Sequence, residues 1–354
     1  MISTEKRIFV SVAAASGNIG DIYIRRAVLM ILASVTQAEF RVFTGKMPDD
    51  YIEAVELPAR SQSDSRSVSF AFSMLFNLVV RRDCVLLVSP GPAFLGVSQG
   101  ARLKHLGLAA FAWACRLRGW SVLILGRSVV GGSRLDHRIE RVLARSASIY
   151  TARDSRSAAL LAPYASIFPD LAFAGASVSK DRHSRKRLIV SLRGDRPLPE
   201  WFVSQVSEFA ESLNLVLTVV TQVRADGVRS GQLAEELKAD LISWPTSVSA
   251  KDQESRLQAI YREAAVCLTD RLHVAALCIR EGAFPIVYSS RSDSKLLDSL
   301  SPFFPFGYVD DGQGIVDVRL SSDRDDLLRE AVSGAARKLD ELSARLGVIV
   351  GGDC

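Results

Sequence analysis

With 354 residues, the chain is long enough for two ordinary domains that each bury a core. Apolar residues make up 48% and charged residues 23%, a balance that excludes a disordered chain. The net charge of +5 suits a phosphorylated ligand, a nucleic acid or an anionic membrane surface, but no Lys/Arg block is interleaved with aromatics, which sets nucleic acid aside.

Residues 8–14 read as a buried strand, Ser16-Gly17-Asn18-Ile19-Gly20-Asp21 as a turn, and the spacing of Ile24, Ala27, Val28, Ile31 and Leu32 predicts a helix, so the chain opens on a βα unit. Residues 40–43 form a second predicted strand, and 51–66 are polar and loop-like. Residues 67–80 carry Phe70, Phe72, Met74, Leu75, Phe76 and Leu78 and end at Arg81-Arg82. They are expected to form a buried helix, the competing reading being an amphipathic surface helix that touches lipid. A strand at 85–88 runs into the tight turn Ser89-Pro90-Gly91-Pro92. A helix at 106–115, a strand at 121–125, a glycine-bearing loop at 126–132, a helix at 135–147 and a strand at 148–151 follow. The corner Ala152-Arg153-Asp154-Ser155-Arg156-Ser157 then leads into a helix at 158–161, where a salt bridge between Arg153 and Asp154 is the plain structural reading. Such alternation implies a mostly parallel sheet with helices on both faces, which binds ligands beyond the carboxyl ends of its strands.

Residues 177–187, with Lys180, Asp181, Arg182, His183, Arg185 and Lys186, have almost no apolar content and read as a linker. The alternation then restarts with a strand at 188–192 ending at Arg193, a helix at 202–213, and a strand at 216–220 running into Gln222 and Asp226. A helix at 232–237, a short strand near Leu241 and a helix at 256–264 come next. The expected division is 1–178, a linker at 179–187, and 188–354. A final helix from Ser322 has Asp325 and Asp326 in its first turn and Leu328, Ala331, Ala335, Leu339, Leu342 and Leu346 along one side. Gly347 is expected beyond its end, and its length would let it cross back to the first domain.

Between these lies Asp270-Arg271-Leu272-His273-Val274-Ala275-Ala276-Leu277-Cys278, with Gly282 as a helix stop, a buried strand at 284–288 and Lys295 on the loop beyond. Asp270 is placed to cap the helix, leaving Arg271 and His273 in its first turn. A first turn offers unpaired backbone N–H groups and the positive end of the helix dipole, so the corner is suited to a phosphate or carboxylate. Only four histidines occur, His105, His137, His183 and His273, and only His273 sits in such a corner. Cys84, Cys115, Cys267, Cys278 and Cys354 are scattered without a CxxC pair, as expected of core thiols in a reducing compartment. Met1 to Arg7 lacks the apolar run of a signal peptide and no apolar stretch reaches the roughly 18 residues of a membrane span, so the expected location is cytoplasmic.

Arg271-Leu272-His273, the apolar helix, Gly282, Pro285 and Lys295 resemble the polysaccharide pyruvyl transferase family. Supporting matches are Gly17-Asn18-Ile19-Gly20-Asp21, Arg153-Asp154 with Ser157, Pro169-Asp170 with Phe173, the strand ending in Arg193, and Gln222 with Asp226. The likeness runs from about Ile8 to Lys295. It implies two Rossmann-like domains facing a cleft, the GT-B arrangement, and transfer of the enolpyruvyl unit of phosphoenolpyruvate onto a sugar as a ketal. The implied acceptor is a surface glycan or its lipid-linked precursor, met by a cytoplasmic enzyme at the inner membrane face. Two loops depart from the family, Pro90-Gly91-Pro92 and residues 126–132, both on the presumed acceptor side.

Phosphoenolpyruvate carries a phosphate and a carboxylate, which the forked guanidinium of arginine fits. The candidates are Arg271, Arg193, Arg153 and Lys295, with Leu272 between the two residues of the corner. His273 is the candidate to deliver a proton to the methylene carbon. Asn18 and Asp21 are candidates for positioning hydroxyls, Asp21 also as a second base, although turn and cap geometry asks for such residues anyway. No metal-ligand spacing occurs, and no cofactor is implied beyond the donor substrate. The alternatives are a GT-B glycosyltransferase using a nucleotide sugar and a non-catalytic partner in glycan assembly. Oligomeric state is open.

Overall fold

A computed structural model describes residues 6–176, 185–289, 295–312, 314–315, 318, 320–321 and 323–351. The expected linker lies largely outside these residues, as do His183, Ser322 and Cys354. Two compact units are formed, one from Met1–Ser16, Asp21–Leu171 and Lys338–Cys354, the other from Gly17–Gly20 and Ala172–Arg337.

The first unit carries β1 (Arg7–Ser11), α1 (Ile19–Val35, from Asp21), β2 (Glu39–Phe43), α2 (Asp49–Val55), β3 (Ser61–Asp64), α3 (Ser67–Val80), β4 (Cys84–Val88), β5 (Gly91–Leu95), α4 (Gln99–Leu117), β6 (Ser121–Gly131), α5 (Arg134–Ser146), β7 (Ile149–Ala152), α6 (Ser155–Leu161) and β8 (Ser166–Ile167). Its strands run β3-β2-β1-β4-β6-β7-β8, with β5 paired to β6, and the pairings are parallel. The central strand β4 is buried along its whole length, as expected of a strand covered on both faces. Phe9 stacks on Trp120 at 5.5 Å between ring centroids, joining β1 to the core beside β6.

The second unit carries β9 (Arg187–Ser191), α7 (Phe202–Ser212), β10 (Val216–Val220), α8 (Gly227–Glu236), β11 (Asp240–Ile242), α9 (Ala250–Arg262), β12 (Ala264–Thr269), α10 (Leu272–Glu281), β13 (Phe284–Tyr288), α11 (Lys295–Leu300), β14 (Gly307–Val309) and the start of α12 (Arg324–Val350). Its parallel sheet has the order β11-β10-β9-β12-β13-β14. Strand order reverses between β9 and β12, so the ends of these two neighbours form the crevice where a doubly wound sheet takes its ligand. From Lys338 onward α12 belongs to the first unit, and the Lys6 ammonium donates to the Val350 carbonyl at 2.8 Å.

Several local expectations need correction. Residues 51–66 are not all loop: α2 ends within them and β3 follows, a polar Ser-Gln-Ser-Asp strand that pairs with β2 through its backbone and so shows no apolar alternation. The turn at 89–92 and the loop at 126–132 are largely strand, because β5 pairs with residues 127–131 of a long β6. Gly126, at φ +63°, is the bend within it. Gly347 lies inside α12 rather than beyond its end. Helix α3 is a surface helix and not a buried one, with Phe72 70% and Phe76 56% exposed while Phe70 and Asn77 are buried. Its 14 residues are largely apolar around their circumference and hold no charge, so periodicity could not tell how many faces are covered.

Candidate functional site

The crevice between β9 and β12 is built from short loops on rigid strands. Thr269 ends β12 and donates its hydroxyl proton to the Ser191 carbonyl at 2.6 Å, tying the two strand ends together. The same oxygen accepts the Arg271 backbone N–H at 3.0 Å, fixing the entry to α10. Helix α10 closes at Gly282, which adopts the left-handed conformation at φ 91°.

Asp270 does not cap this helix, which has no side-chain cap. Its carboxylate turns instead across the sheet, accepting the Arg193 backbone N–H at 2.9 Å and the Arg196 guanidinium at 3.2 Å. Burial pushes its pKa up to about 6, against the pull of that N–H and of Arg196, Arg271 and Arg193.

Arg271 is oriented by Asp226, whose two carboxylate oxygens both accept from one terminal nitrogen of the guanidinium. Asp226 also accepts the Gly194 N–H at 2.9 Å, so one carboxylate joins the ends of β9 and β10 to the corner. Arg193 makes a forked pair with Asp195 at 2.9 and 2.8 Å. That pairing holds the Asp195 carboxyl down at about 2. Asp195 is exposed and Arg193 half-buried, so exchanging Asp195 for an incoming anion carries a modest cost.

The Gly17–Gly20 turn belongs to this unit. Ile19 and Arg224 exchange backbone bonds with Gln222 and Gly17 at 3.3 and 2.7 Å. A Cβ on Gly20 would lie 2.1 Å from the His273 ring, so the ring rests on bare backbone that only glycine can supply. Asn18 uses its side-chain oxygen to accept the Gly20 N–H at 3.0 Å, a turn-forming role. Arg224 lies over the Trp244 ring at 4.4 Å, and Gln222 accepts from the buried Tyr261 hydroxyl at 3.1 Å.

Of the expected residues, Arg193, Arg271, Leu272, His273 and Asn18 fall in this one unit around the β9 and β12 ends. Lys295 is the exposed first residue of α11 in the same unit. Arg153 and Asp21 belong to the other unit. Arg153 forms a buried pair with Asp170 at 2.8 Å rather than with Asp154, which caps α6 by accepting the Ser157 N–H at 2.7 Å. Asp21 lies beside Arg25, with its carboxylate 3.4 Å from the guanidinium. Asp195, Arg196, Arg224 and Trp244 escaped notice. The charge-dense run Arg193-Gly194-Asp195-Arg196 directly after a strand was the signal for the first two. Among the described residues no group of three or more His, Cys, Asp and Glu is placed to hold a metal.

No family model and no curated protein matches the chain. Solved structures do. The Anabaena protein Alr3699/HepE in complex with UDP matches with a TM-score of 0.53 at 9% identity, over 97% of each chain. The same protein with UDP and glucose matches with a TM-score of 0.52 at 10% identity, again over 97% of each chain. The UDP-GlcNAc 2-epimerase of Methanocaldococcus jannaschii matches with a TM-score of 0.50 at 13% identity, over 95% of this chain and 93% of that one. At such identities the likeness is one of fold, and the fold is the GT-B class of two parallel-sheet α/β units.

Proposed function

We propose that the protein is a glycan-modifying transferase that holds a phosphorylated donor at the β9–β12 crevice, and that the donor is phosphoenolpyruvate. The observation that carries this reading is the Arg271-Leu272-His273 corner at the head of α10, with Arg271 clamped by Asp226 and the His273 ring seated on Gly20. First-turn N–H groups and the Arg193 and Arg271 forks would receive the phosphate and carboxylate. His273 would protonate the methylene carbon, which becomes a methyl group while C2 becomes cationic. One sugar hydroxyl then adds to C2 and gives up its proton. The carbon–oxygen bond to phosphate breaks, a second hydroxyl closes the ketal, and inorganic phosphate leaves with the remaining proton.

A second reading has its own support. The solved structures that share the fold are named for UDP and UDP-GlcNAc, which favours a nucleotide-sugar transferase over pyruvyl transfer as far as fold goes. The resemblance of residues favours phosphoenolpyruvate. A thermal-shift panel separates the two. Stabilisation by phosphoenolpyruvate and not by UDP, with phosphate released in the presence of a saccharide, is the expected result. Stabilisation by UDP alone would replace the donor reading with the nucleotide-sugar one. No phosphate release with any acceptor, together with no stabilisation by UDP, would leave the chain a non-catalytic partner.

A further inference from the structure

A cavity of about 560 Å³ lies wholly within the first unit, at the carboxyl ends of β1 and β4 where that sheet also reverses its strand order. Phe70 and Met74 of α3 and Leu108 and Phe111 of α4 form much of its wall. Phe94 lines it too and is 59% exposed, so the cavity reaches the surface beside that ring. Its lining is polar at Asp21, Arg25 and Ser89. Arg25 is buried, and its Nε has no hydrogen-bond partner among the described residues. A sheet crevice with an apolar barrel and a charged, hydroxyl-bearing lining at the strand ends has the form of a site for an amphiphile.

The outer surface beside the cavity is equally unusual. Val68, Phe72, Leu75, Phe76 and Val79 expose one continuous stripe along α3, and the helix carries no charge. Arg118, the cap residue just after α4, donates to the Leu78 and Val79 carbonyls at 2.9 and 2.6 Å, joining the ends of the two helices. Arg66 and Arg82 stand exposed just beyond the two ends of α3. Residues 65–118 hold seven Lys and Arg against one Asp, a surplus greater than the +5 of the whole chain. A water-facing helix without charge, framed by a local excess of cations, matches the interface of an anionic bilayer: hydrocarbon below, phosphate at the rim.

We propose that the first unit docks on an anionic lipid bilayer through the uncharged face of α3 and takes the hydrocarbon chain of a lipid-carried acceptor into the cavity behind it. The identity of the acceptor as substrate rests on the transferase reading above; the lipid site does not. Asp21, Arg25 and Ser89 would meet the polar head of the amphiphile, while Phe70, Met74, Leu108 and Phe111 enclose the chain as it leaves past Phe94.

Vesicle flotation tests the face. The full chain is expected to float with phosphatidylglycerol-containing vesicles, and Phe72→Ser with Phe76→Ser to weaken this by about tenfold or more without moving the unfolding midpoint. Equal binding to pure phosphatidylcholine vesicles, or no loss in the double variant, overturns the docking surface. So would a dimer in solution that the double variant converts to monomer, which would assign the face to a second copy. Calorimetric titration with dodecyl glucoside below its micelle concentration tests the cavity. Binding is expected to exceed that of glucose by at least about tenfold and to fall by a similar factor in Leu108→Trp, which fills the barrel, and in Phe94→Ser at its exposed mouth. Equal binding of glucose and dodecyl glucoside, or unaltered binding in Phe94→Ser, refutes the hydrocarbon site. None of these readouts uses phosphoenolpyruvate, so their failure and the failure of the donor reading are told apart.

Discussion

At the residue scale, the mechanism proposed above requires His273 to be held and not merely present. His273→Ala is expected to fold normally and to lose about a hundredfold to ten thousandfold in turnover, the range for a positioned acid or base. Near-normal phosphate release would remove the residue from the mechanism. Gly20→Ala places a methyl group 2.1 Å from the ring and should displace it, so turnover is expected to drop nearly as far while the mutant remains folded by circular dichroism. Asp270 adds a pH dependence. Its carboxyl, raised to about 6 by burial, is neutral below that value and then competes less for Arg196 and the Arg193 N–H. The sign for stability is that of a raised acid: the contribution is full below about 3.8, the ordinary value, and is lost as pH rises to about 6. Binding of sulfate, whose charge is constant across this range, should therefore tighten as pH falls through about 6. Measured in a His273→Ala background, Asp270→Asn should flatten the profile; an unchanged slope would exclude the carboxyl as its source. The position of Arg271 and His273 at the head of α10 was legible in the sequence because it follows from three adjacent residues at a strand end. Asp270 was misread because an aspartate before a helix is a natural cap, and only the folded sheet brings Arg193 and Arg196 within its reach. The partner of Arg153 was missed for the same reason, Asp170 being distant in sequence and Asp154 adjacent.

At the scale of elements, helix α5 is fastened to the sheet by a buried polar cluster. Glu140 accepts from Arg127 of β6 at 2.7 and 3.2 Å and from the Tyr150 hydroxyl of β7 at 2.6 Å, with the His105 ring 2.8 Å away. Burial pushes the Glu140 carboxyl up, but Arg127, His105 and Tyr150 outweigh it and hold it down at about 2. A lowered acid stabilises the fold above its ordinary value of about 4.5 and gives that up as pH falls toward about 2. The unfolding midpoint should decline through this window, and Glu140→Gln should remove that part of the decline. The same variant is expected to cost about 3–5 kcal/mol at neutral pH, because it leaves a buried guanidinium without its countercharge. A loss below about 1 kcal/mol in denaturant titration would show that the cluster is solvated or re-paired. The alternating strands and helices were readable from hydrophobic periodicity, and most elements formed within a few residues of where they were expected. Strands β3 and β5 were not readable, since a polar edge strand and a strand containing proline are specified by the backbone groups that neighbours offer them.

At the scale of the whole molecule, α12 is shared. Leu339, Leu342, Leu346 and Val350 are fully or nearly fully buried and belong to the first unit, whereas Leu328 and Val332 belong to the second. Removing residues 338–354 strips the first unit of these side chains, each worth about 1.5–3 kcal/mol when fully buried. The truncated protein is expected to show an early unfolding transition assigned to the first unit, with the second unit's transition unmoved. A single transition at the original temperature would mean the helix end contributes nothing. The two-unit plan was legible from the repeated alternation, and the length of the final helix already pointed to its return to the first unit. The exchange of Gly17–Gly20 into the second unit was not legible, because nothing local in that turn marks it.

That exchange sets a schedule for synthesis. The first unit is begun first, yet the helix end that completes it follows the second unit in the chain, so Leu339, Leu342, Leu346 and Val350 can reach its core only after the second unit's residues have been made. The second unit in turn waits for nothing downstream of Arg337 but needs Gly17–Gly20, already synthesised, to seat the His273 ring. Emergence of residues 338–350 is thus the step that closes the first unit, and until then the nascent protein carries the exposed α3 stripe and the unfinished core together.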